Sequence, residues 1–299
     1  MKKNNFFTVL FVLFMSLSCS LFLASCSSDD DDNKPDPNAG KTDPSTIAAS
    51  NLIAYFPFES ETASISKGEG IAFNKKAGAA SFVVGRRGNA YKGSANQAYL
   101  EYNVAANNPF KTMSEFTIAA WIKTPPAIVD GANGAAKIFA LDGGDGFMGN
   151  LVLMLEGNSS ADSLDLKGYL YNSTTEWRGQ DIRLSNQAFL SDKWVHIVFS
   201  YNKATSAITL YASGLFVSES IRYSGPEVDG NQPLLGALTF GQDMAKIQIG
   251  AWAQQIASGG DDWMRYYPGL LDELRIYNKA LTETEIKALY DAEITQINE

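Results

Sequence analysis

Two adjacent carboxylates, Asp272 and Glu273, lie in the predicted strand "LLDELRIY" near the end of the chain. A retaining glycosidase uses two carboxyl groups about 5 Å apart beside one scissile bond. Successive strand side chains point to opposite faces, so this pair cannot flank one bond. The face of Asp272 also carries three apolar residues: Leu270, Leu274 and Ile276. We therefore expect Asp272 to face the core, and Glu273 to form an exposed ion pair with Arg275.

A carboxylate that faces an apolar core is unfavourable unless it binds a metal ion or accepts hydrogen bonds. Calcium binds several oxygens, supplied by carboxylates and backbone carbonyls. The sequence therefore predicts a structural calcium ion at Asp272, with backbone N–H groups or arginine as the alternative partners.

Motifs for nucleophilic catalysis and phosphate binding are weak or missing. His196 is the only histidine, which excludes a metal site with two imidazoles from one chain. No Gly-x-Ser-x-Gly elbow accompanies it, so a serine–histidine triad is not indicated. Residues 85–88, "GRRG", match the Gly-x-x-Gly clamp of nucleic-acid binders only weakly, and a turn is the simpler interpretation.

Three predicted loops combine aromatic and hydrogen-bonding side chains, the combination that sugar sites use. The longest loop offers Trp252, Asp261, Asp262, Trp263, Tyr266 and Tyr267. The other two offer Trp177, Arg178 and Asp181, and Asp142, Asp145 and Phe147. We predict carbohydrate binding at these loops, with a role in covering the domain edges as the alternative. Trp121 and Trp194 lie in apolar strands and are assigned to the core.

The first 26 residues have the layout of a secreted lipoprotein. Lys2 and Lys3 precede the apolar stretch "FFTVLFVLFMSLSCSLFLAS", which is typical of a signal peptide. "LASC", residues 23–26, resembles a bacterial lipobox, which implies cleavage before Cys26 and lipidation of that cysteine. The alternative is an uncleaved anchor, since the stretch is almost long enough to span a bilayer. Cleavage would leave Cys26 as the only cysteine and exclude a disulfide framework.

Residues 27–46, "SSDDDDNKPDPNAGKTDPST", lack side chains that could seed a core. We predict a signal peptide at 1–25, the lipidated cysteine and a disordered acidic tether at 26–46, and one globular domain at 47–299. The acidic run Asp29–Asp32 resembles the export signals of lipoproteins displayed on the outer membrane surface. Surface exposure is favoured, and the periplasmic face is the alternative.

The chain is acidic, with 24 basic and 33 acidic residues and a formal charge of −9. Loss of Lys2 and Lys3 with the signal peptide would leave 22 basic residues and a charge of −11. This charge argues against nucleic acid or anionic lipid as a partner. It is compatible with neutral sugars and with calcium.

Short β-type runs separated by Gly, Asn, Asp and Ser dominate residues 51–277. Long helical periodicity is missing, which disfavours βαβ architecture. The pattern predicts an all-β fold, a two-sheet antiparallel jelly-roll sandwich. A short C-terminal helix is also predicted. Thr282 and Glu285 form its capping box, and Leu281 and Ile286 form the hydrophobic staple around it.

The ordered set of segments resembles LamG-like domains of the concanavalin A-like lectin/glucanase superfamily over about residues 50–292. These segments are "AYFPF", "GRRGNAY", "FTIAAWIKT", "KWVHIVFSYN", "ITLYASG", "IQIG" and "PGLLDELRIYNKALTETEIKALY". The resemblance implies a sandwich of two antiparallel sheets. It does not fix a function, because the fold hosts lectins, adhesion modules and enzymes.

The resemblance bears on two further expectations. Glycosidases of this superfamily present a Glu-x-Asp-x-x-Glu run, and here only Glu227 has an Asp two residues on, Asp229, in a Pro/Gly loop. We therefore expect no catalytic residues. Glu59 lies where the family often has an Asp, and the first and last strands are commonly neighbours. Glu59 is therefore the second expected calcium ligand, with Asp272.

The predicted function is that of a cell-surface lipoprotein that binds carbohydrate through its sandwich, as a non-catalytic accessory to glycan capture. The expected partners are a glycan and, through the lipid anchor, the outer membrane, with no nucleic acid. The first alternative is an adhesion or protein-binding module. The second is a glycoside hydrolase or lyase with an unfamiliar site.

Overall fold

A computed structural model describes residues 42–126, 134–142, 149–157, 163–172, 179–240 and 244–294. Several predictions lie outside these ranges: the signal peptide, the lipidation of Cys26, and the roles of Asp145, Phe147, Trp177 and Arg178. In the described part of the chain, nearly all residues belong to two β-sheets, two α-helices and the turns that join them. The predicted all-β sandwich is therefore confirmed.

Seventeen strands and two α-helices are present in the described ranges. In chain order the strands are β1 (Leu52–Phe56), β2 (Lys67–Gly68), β3 (Ile71–Gly78), β4 (Ser81–Val84), β5 (Asn89–Lys92), β6 (Ala98–Val104), β7 (Phe116–Lys123), β8 (Ala135–Asp142), β9 (Leu151–Gly157), β10 (Leu164–Tyr171), β11 (Gly179–Asn186), β12 (Trp194–Asn202), β13 (Ala207–Ala212), β14 (Leu215–Ile221), β15 (Lys246–Ile249), β16 (Met264–Tyr266) and β17 (Leu270–Tyr277). The helices are α1 (Ala253–Ser258) and α2 (Glu283–Ile294).

The strands form two sheets, which we name sheet A and sheet B. Sheet A has the order β14-β13-β12-β7-β17-β1-β2, with β5 pairing with β17 and β4 pairing with β5. Sheet B has the order β11-β10-β9-β8-β15-β6-β3, with β16 pairing with β8. The β16–β8 pair is parallel and every other pair is antiparallel.

One apolar core fills the space between the sheets, and strand alternation supplies it. In β7 the core residues are Phe116, Ile118, Ala120 and Ile122. In β10 they are Leu164, Leu166 and Leu170. Full burial of each large apolar side chain contributes roughly 1.5–3 kcal/mol relative to exposure. Each sheet therefore has an inner face in this core and an outer face turned away from it.

Helix α2 begins with the predicted capping box and covers the outer face of sheet A. Thr282 N–H donates to Glu285 Oε2 at 2.8 Å, and Glu285 N–H donates to Thr282 Oγ1 at 3.2 Å. The buried side chains of α2 pack on a second apolar cluster that includes Ala119, Val198, Tyr211 and Tyr277. The predicted C-terminal helix and its packing on the sandwich are confirmed.

The predicted alternation of β17 is wrong, because a β-bulge interrupts the strand. The register with β7 shifts between Asp272 and Arg275, and Glu273 adopts a positive φ of 52°. A bulge adds one residue to one strand and changes which side chains share a face. Asp272 pairs with Trp121 on the outer face, while the core receives Leu271, Leu274 and Ile276. The pair of Glu273 and Arg275 is buried beneath α2, where we expected an exposed pair.

Trp121 and Trp194, which were both assigned to the core, differ in burial. Trp121 is buried, on the outer face of sheet A under α2. Trp194 is half-buried at the first position of β12, so its assignment to the core is wrong. A strand end lies at the edge of the sandwich, where a large ring keeps one side in solvent. Within the described ranges, neither helix has the length and apolar character required to cross a bilayer.

Candidate functional site

The outer face of sheet B displays polar and aromatic side chains in the positions that strand alternation dictates. The apolar residues of β10 lie in the core, so its other side chains project outward. These outward side chains are Asp165, Lys167 and Tyr169. The register of the sheet places Glu156 of β9 opposite Asp165, and Asp181 of β11 opposite Tyr169.

A ladder of ion pairs crosses β9, β10 and β11 on this face. Lys167 Nζ lies 3.6 Å from Glu156 Oε2 and 3.4 Å from Asp181 Oδ2. Arg183 lies 3.7 Å from Glu156 and 3.3 Å from Asp165. Charge-assisted hydrogen bonds are normally about 2.7–2.9 Å long. Asp165 Oδ1 accepts a hydrogen bond from Ser185 Oγ at 2.5 Å, so Asp165 is firmly bonded. The contacts of Lys167 with Glu156 and Asp181 are longer than charge-assisted hydrogen bonds, so these three groups are loosely paired.

The segment before β17 packs on the same outer face through an apolar cluster. The buried members of this cluster are Ala135, Ala140, Val152, Met154, Trp252 and Met264. Trp252 Nε1 donates to the backbone oxygen of Ala135 at 2.9 Å. Trp263 meets the Trp252 ring edge-on, with ring centroids 4.9 Å apart. Trp263 and Tyr169 are both half-buried against this cluster, so aromatic rings adjoin the ion-pair ladder.

The residues predicted from the segment before β17 form two groups, one buried and one with accessible surface. Trp252 and Tyr267 are buried. The Tyr267 hydroxyl lies 3.2 Å from Thr124 Oγ1 and 3.1 Å from the backbone oxygen of Leu270, so this residue fixes the strand entry. Accessible surface remains on Asp261, Asp262, Trp263 and Tyr266. A ligand can meet these four residues, while Trp252 and Tyr267 support the loop from beneath.

The outer face of sheet B contains residues that the loop-based prediction missed, namely Glu156, Lys167 and Tyr169. Of the other predicted loop residues, Asp181 is exposed on this face and Asp142 is half-buried at the end of β8. The missed residues carried a readable signal: "LDLKGYLY" alternates apolar and polar side chains, which indicates one polar strand face. The signal lies in a strand, whereas the prediction of a sugar site rested on loop composition.

A buried lysine stabilises the loop segment from below. Lys137 of β8 is almost fully buried, and its Nζ lies 4.4 Å from the centroid of the Trp252 ring. A cation over a tryptophan face is an attractive arrangement. Tyr266 pairs with Lys137 in the parallel ladder, and partial burial raises the pKa of the Tyr266 hydroxyl. The loop is therefore held on the sheet by side-chain and backbone contacts together.

Asp272 binds backbone N–H groups on the outer face of sheet A. Its Oδ2 accepts hydrogen bonds from the N–H groups of Arg86 at 2.8 Å and Arg87 at 3.0 Å, and its Oδ1 accepts from Glu273 N–H at 2.8 Å. Burial raises the pKa of Asp272 to about 8, and the hydrogen bond from Arg87 opposes that rise. Asp272 therefore anchors the turn that contains the "GRRG" segment.

Glu59 approaches the same turn from its other end. Glu59 Oε2 accepts a hydrogen bond from Asn89 N–H at 2.8 Å, and Asn89 Nδ2 donates to the Glu59 backbone oxygen at 2.8 Å. Among the described residues, no group of three or more His, Cys, Asp or Glu side chains converges as a metal site. Backbone N–H groups, the alternative partners named above for Asp272, donate to both carboxylates. Calcium there stays a prediction.

A buried network of charges lies between sheet A and α2. Arg275 Nη2 donates to Glu273 Oε2 at 2.7 Å, and Arg275 Nη1 is paired with Glu293 Oε1. Glu293 Oε2 accepts from Trp121 Nε1 at 2.6 Å and lies 3.7 Å from His196 Nε2. Burial raises the pKa of Glu293 to about 7, while Arg275 opposes the rise. This network joins α2 to the sheet and is closed to ligands.

The two outer faces therefore differ in kind. The outer face of sheet A is sealed by α2 over a buried ionic network, whereas the outer face of sheet B presents partly exposed aromatic rings and a loose ion-pair ladder. Two antiparallel sheets packed face to face place the chain in the class of jelly-roll β-sandwich domains. Residues 94–250 match the family Laminin_G_3, described as the concanavalin A-like lectin/glucanases superfamily. This match covers more than half of the chain, and the chain belongs to this family.

Solved structures share the fold at low sequence identity. The binding domain of botulinum neurotoxin DC in complex with rat synaptotagmin II aligns with a TM-score of 0.53 and 14% identity, over 83% of this chain and 52% of that chain. The same toxin domain in complex with SialylT aligns with a TM-score of 0.53 and 12% identity, over 83% and 52%. The binding domain of Paraclostridial Mosquitocidal Protein 1 aligns with a TM-score of 0.54 and 18% identity, over 81% and 52%.

These similarities establish the fold alone. The chain spans about half the length of the structures that it matches. No curated protein sequence matches the chain.

Proposed function

We propose that the chain is a non-catalytic carbohydrate-binding module, and that the outer face of sheet B is its binding surface. One observation carries the proposal: the half-buried rings of Trp263 and Tyr169 adjoin the ladder of Lys167, Glu156 and Asp181. Sugar rings stack their apolar faces on aromatic side chains and direct their hydroxyl groups to polar neighbours. The ladder supplies ammonium donors and carboxylate acceptors within reach of the two rings.

The neighbouring toxin domains support a binding role for this fold, because one of them is described in complex with a protein and with SialylT. Those ligands belong to the toxin. For this chain, we propose that Cys26 carries a lipid and that residues 27–46 hold the domain away from the outer membrane. A lipidated cysteine with more than one acyl chain provides stable anchoring. Display on the cell surface suits capture of extracellular glycans, and the periplasmic face is the alternative.

Replacement of Trp263 by alanine is expected to weaken glycan binding roughly tenfold or more, since loss of a stacking ring removes about 1–3 kcal/mol of contact energy. A glycan array identifies the ligand, and calorimetry then compares wild type with the variant. Trp194→Ala is the matched control, because Trp194 is also half-buried but lies on β12 of sheet A. Its affinity should equal that of wild type.

The same titrations are followed for hydrolysis products. Unchanged affinity in both Trp263→Ala and Tyr169→Ala would remove this face as the glycan site. Sugar cleavage by the wild-type chain would replace the binding module with the hydrolase or lyase alternative.

A second candidate function is protein adhesion, and the edge strand of sheet A favours it. Leu215, Phe216 and Val217 of β14 are 67%, 47% and 37% exposed. Consecutive exposed apolar residues on an edge strand commonly mark an interaction surface. If adhesion is the function, beads coated with wild-type chain should capture enzymatically deglycosylated cell-surface protein, and a Leu215→Ser/Phe216→Ser variant should lose that capture. Equal capture by both would remove the adhesion candidate.

A further inference from the structure

The start of β14, at the edge of sheet A, exposes three consecutive apolar side chains. These are Leu215, Phe216 and Val217, which we name the β14 triad. Exposed apolar residues that occur singly are normal on a protein surface, whereas a contiguous group marks an interaction surface. Among the described residues, the other large apolar side chains that are exposed stand singly in the sequence. The β14 triad is therefore the apolar group to explain.

Three other terminal strands, β2, β3 and β11, carry exposed charges that β14 lacks beside its triad. These exposed residues are Lys67 on β2, Lys75 and Lys76 on β3, and Asp181 and Arg183 on β11. Charged side chains on an edge strand oppose its pairing with another chain. The edge of sheet A at β14 is therefore the one that the sequence leaves suited to association.

The outer edge of β14 is open along its length. Strand β13 pairs with one side of β14, and no described strand pairs with the other. Just after β14, Arg222 N–H donates to the Ser206 oxygen at 2.8 Å, and the Arg222 oxygen accepts from Leu235 N–H at 3.0 Å. A residue in an antiparallel ladder directs its N–H and its oxygen to the same side. The segment at Leu235 therefore lies on the β13 side and leaves the outer edge free.

A tight turn and a neighbouring ring hold the triad in place. Ser213 and Gly214 form the two-residue connection between β13 and β14, with positive φ values of 53° and 75°. A Cβ atom at Gly214 would lie 2.8 Å from the Tyr290 ring, so the turn packs closely on α2. Phe216 meets the Tyr211 ring edge-on, with centroids 5.5 Å apart. The triad is therefore preorganised, and a partner does not have to order a loop.

We propose that the β14 triad binds the same triad of a second copy of this chain, across a two-fold axis at Phe216. A two-fold interface packs one patch against itself, so the patch has to be self-complementary. This axis makes the two β14 strands antiparallel and sets Leu215 of each copy opposite Val217 of the other. The triad carries no charge, so its burial desolvates no ion.

Charge favours this axis over other positions along β14. Glu219 is the only charged residue of the strand. An axis at Glu219 would set two carboxylates directly opposite each other, which is destabilising. With the axis at Phe216, Glu219 lies three positions away in each copy, so the two carboxylates are about 20 Å apart. The Debye length is about 8 Å at physiological ionic strength, so their repulsion is screened.

The small size of the triad predicts a weak dimer. A stable interface buries about 800 Å² of each partner, and three partly exposed side chains supply only a fraction of that area. The lipid anchor proposed for Cys26 would confine copies of the chain to one membrane and raise their local concentration. This confinement favours a second copy over an unrelated protein as the occupant. A dimer would also present two sheet B faces to a glycan with repeated units, although its formation does not depend on glycan binding.

The test uses residues 27–299, which include every described residue, and two double variants that differ only in one charge. In Leu215→Lys/Val217→Lys, each introduced lysine meets a lysine of the other copy. In Leu215→Lys/Val217→Glu, each introduced lysine meets a glutamate. Analytical ultracentrifugation at up to about 0.5 mM protein covers the micromolar range expected of a small interface. Circular dichroism first confirms that both variants are folded.

Wild type should dimerise as its concentration rises, and Leu215→Lys/Val217→Lys should stay monomeric. Leu215→Lys/Val217→Glu should dimerise within about tenfold of the wild-type affinity, and added salt should weaken it. The matched control is Val84→Lys, because Val84 is 73% exposed on the terminal strand β4. This control should dimerise as wild type does.

Wild type that stays monomeric over the whole range overturns the proposal, and capture of deglycosylated protein would then assign the triad to the adhesion candidate. Equal dimerisation of the two double variants overturns it as well, because the two-fold axis requires their charges to act in opposite directions. Loss of dimerisation in Val84→Lys would place the interface at another edge. None of these results bears on Trp263, so the carbohydrate-binding proposal stands or fails separately.

Discussion

Replacement of Arg275 by methionine is expected to lower the free energy of unfolding by about 3–5 kcal/mol. Arg275 is buried between Glu273 and Glu293 and bonds to both carboxylates. Methionine preserves much of the volume but leaves two buried acids without their common cation. Removal of one partner from a buried ionic group is strongly destabilising, because the remaining charge stays desolvated. Urea unfolding at neutral pH measures the difference.

The matched control for this experiment is Lys287→Met on the outer surface of α2. Lys287 is ion-paired with Asp291 one turn away, and both side chains are largely exposed. Exposed helical pairs contribute about 0.3–0.5 kcal/mol, so this variant should unfold close to wild type. If Arg275→Met unfolds as Lys287→Met does, the network does not hold α2 on the sheet.

The network also includes groups from outside β17 that stay bonded to Glu273 in the variant, so the expected loss falls mainly on Glu293. Tyr55 donates to Glu273 Oε1 at 2.7 Å, and Arg87 Nη1 donates to Glu273 Oε2 at 2.8 Å. The Arg275 guanidinium also lies 4.2 Å from the centroid of the Tyr55 ring. Three separate parts of the chain thus depend on one buried cluster, and α2 is the fourth through Glu293.

The sandwich could be predicted from sequence because its strands obey simple alternation. In β10, Leu164, Leu166 and Leu170 lie in the core and Gly168 occupies the fourth inward position, as the alternation in "LDLKGYLY" indicates. The capping box of α2 was also predictable, because Thr282 and Glu285 interact over three residues and need no tertiary partner. Local chemistry decides both features.

The bulge in β17 could not be predicted in this way. It places Glu273 at a positive φ, which is unfavourable for a side chain other than glycine and is held by tertiary contacts. Those contacts come from residues far along the chain, including Arg87 and Tyr55. Without the bulge, alternation directs Asp272 to the core; with it, Asp272 pairs with Trp121 on the outer face.

The candidate site was only partly predictable for a related reason. Composition identified the loop before β17 but did not distinguish the buried rings of Trp252 and Tyr267 from the accessible ring of Trp263. That distinction depends on how α1 and β16 fold back onto sheet B. The ladder of Glu156 and Lys167 depends on the pairing of β9 with β10, which a single sequence does not specify.

The two sheets differ in how their outer faces are covered, and this difference supports the proposal that ligands bind on sheet B. On sheet A, α2 covers Trp121, and Glu293 satisfies its indole N–H. On sheet B, the segment with α1 and β16 covers part of the outer face, and among the described residues Tyr169 and Lys167 stay partly accessible. Charged side chains thus belong to a closed, buried network on the outer face of sheet A. On the outer face of sheet B, Lys167, Glu156 and Asp181 are loosely paired.

The second large effect is a loss of stability in acid, which we assign to His196. Burial, with a further contribution from Arg275, lowers the pKa of His196 to about 3, from an ordinary value of 6.5. Between pH 6.5 and pH 3, His196 is therefore protonated in the unfolded chain but neutral in the folded chain. The free energy of unfolding consequently falls as pH decreases through this window. A shift of this size corresponds to up to about 5 kcal/mol.

The groups around His196 explain why protonation is unfavourable there. The imidazole packs beside the stacked rings of Trp121 and Tyr290, at centroid distances of 5.2 and 5.9 Å. Glu293 is 3.7 Å from Nε2 and would favour an imidazolium ion, but that carboxylate is already engaged by Arg275 and Trp121. The desolvation of a fully buried ring outweighs the remaining attraction.

His196→Leu isolates this contribution from that of the buried acids. Asp272 and Glu293 have raised pKa values, so the stability that they contribute is present at low pH and decreases as pH rises through about 8 and 7. The contribution of these two acids to the free energy of unfolding therefore changes with pH in the opposite direction to the contribution of His196. Free energies of unfolding are measured by urea at intervals from pH 7.5 to pH 4 for both proteins. As pH falls below about 6.5, the free energy of unfolding of wild type should decrease relative to that of His196→Leu. If the difference between the two proteins is independent of pH, His196 is protonated equally in the folded and unfolded chain.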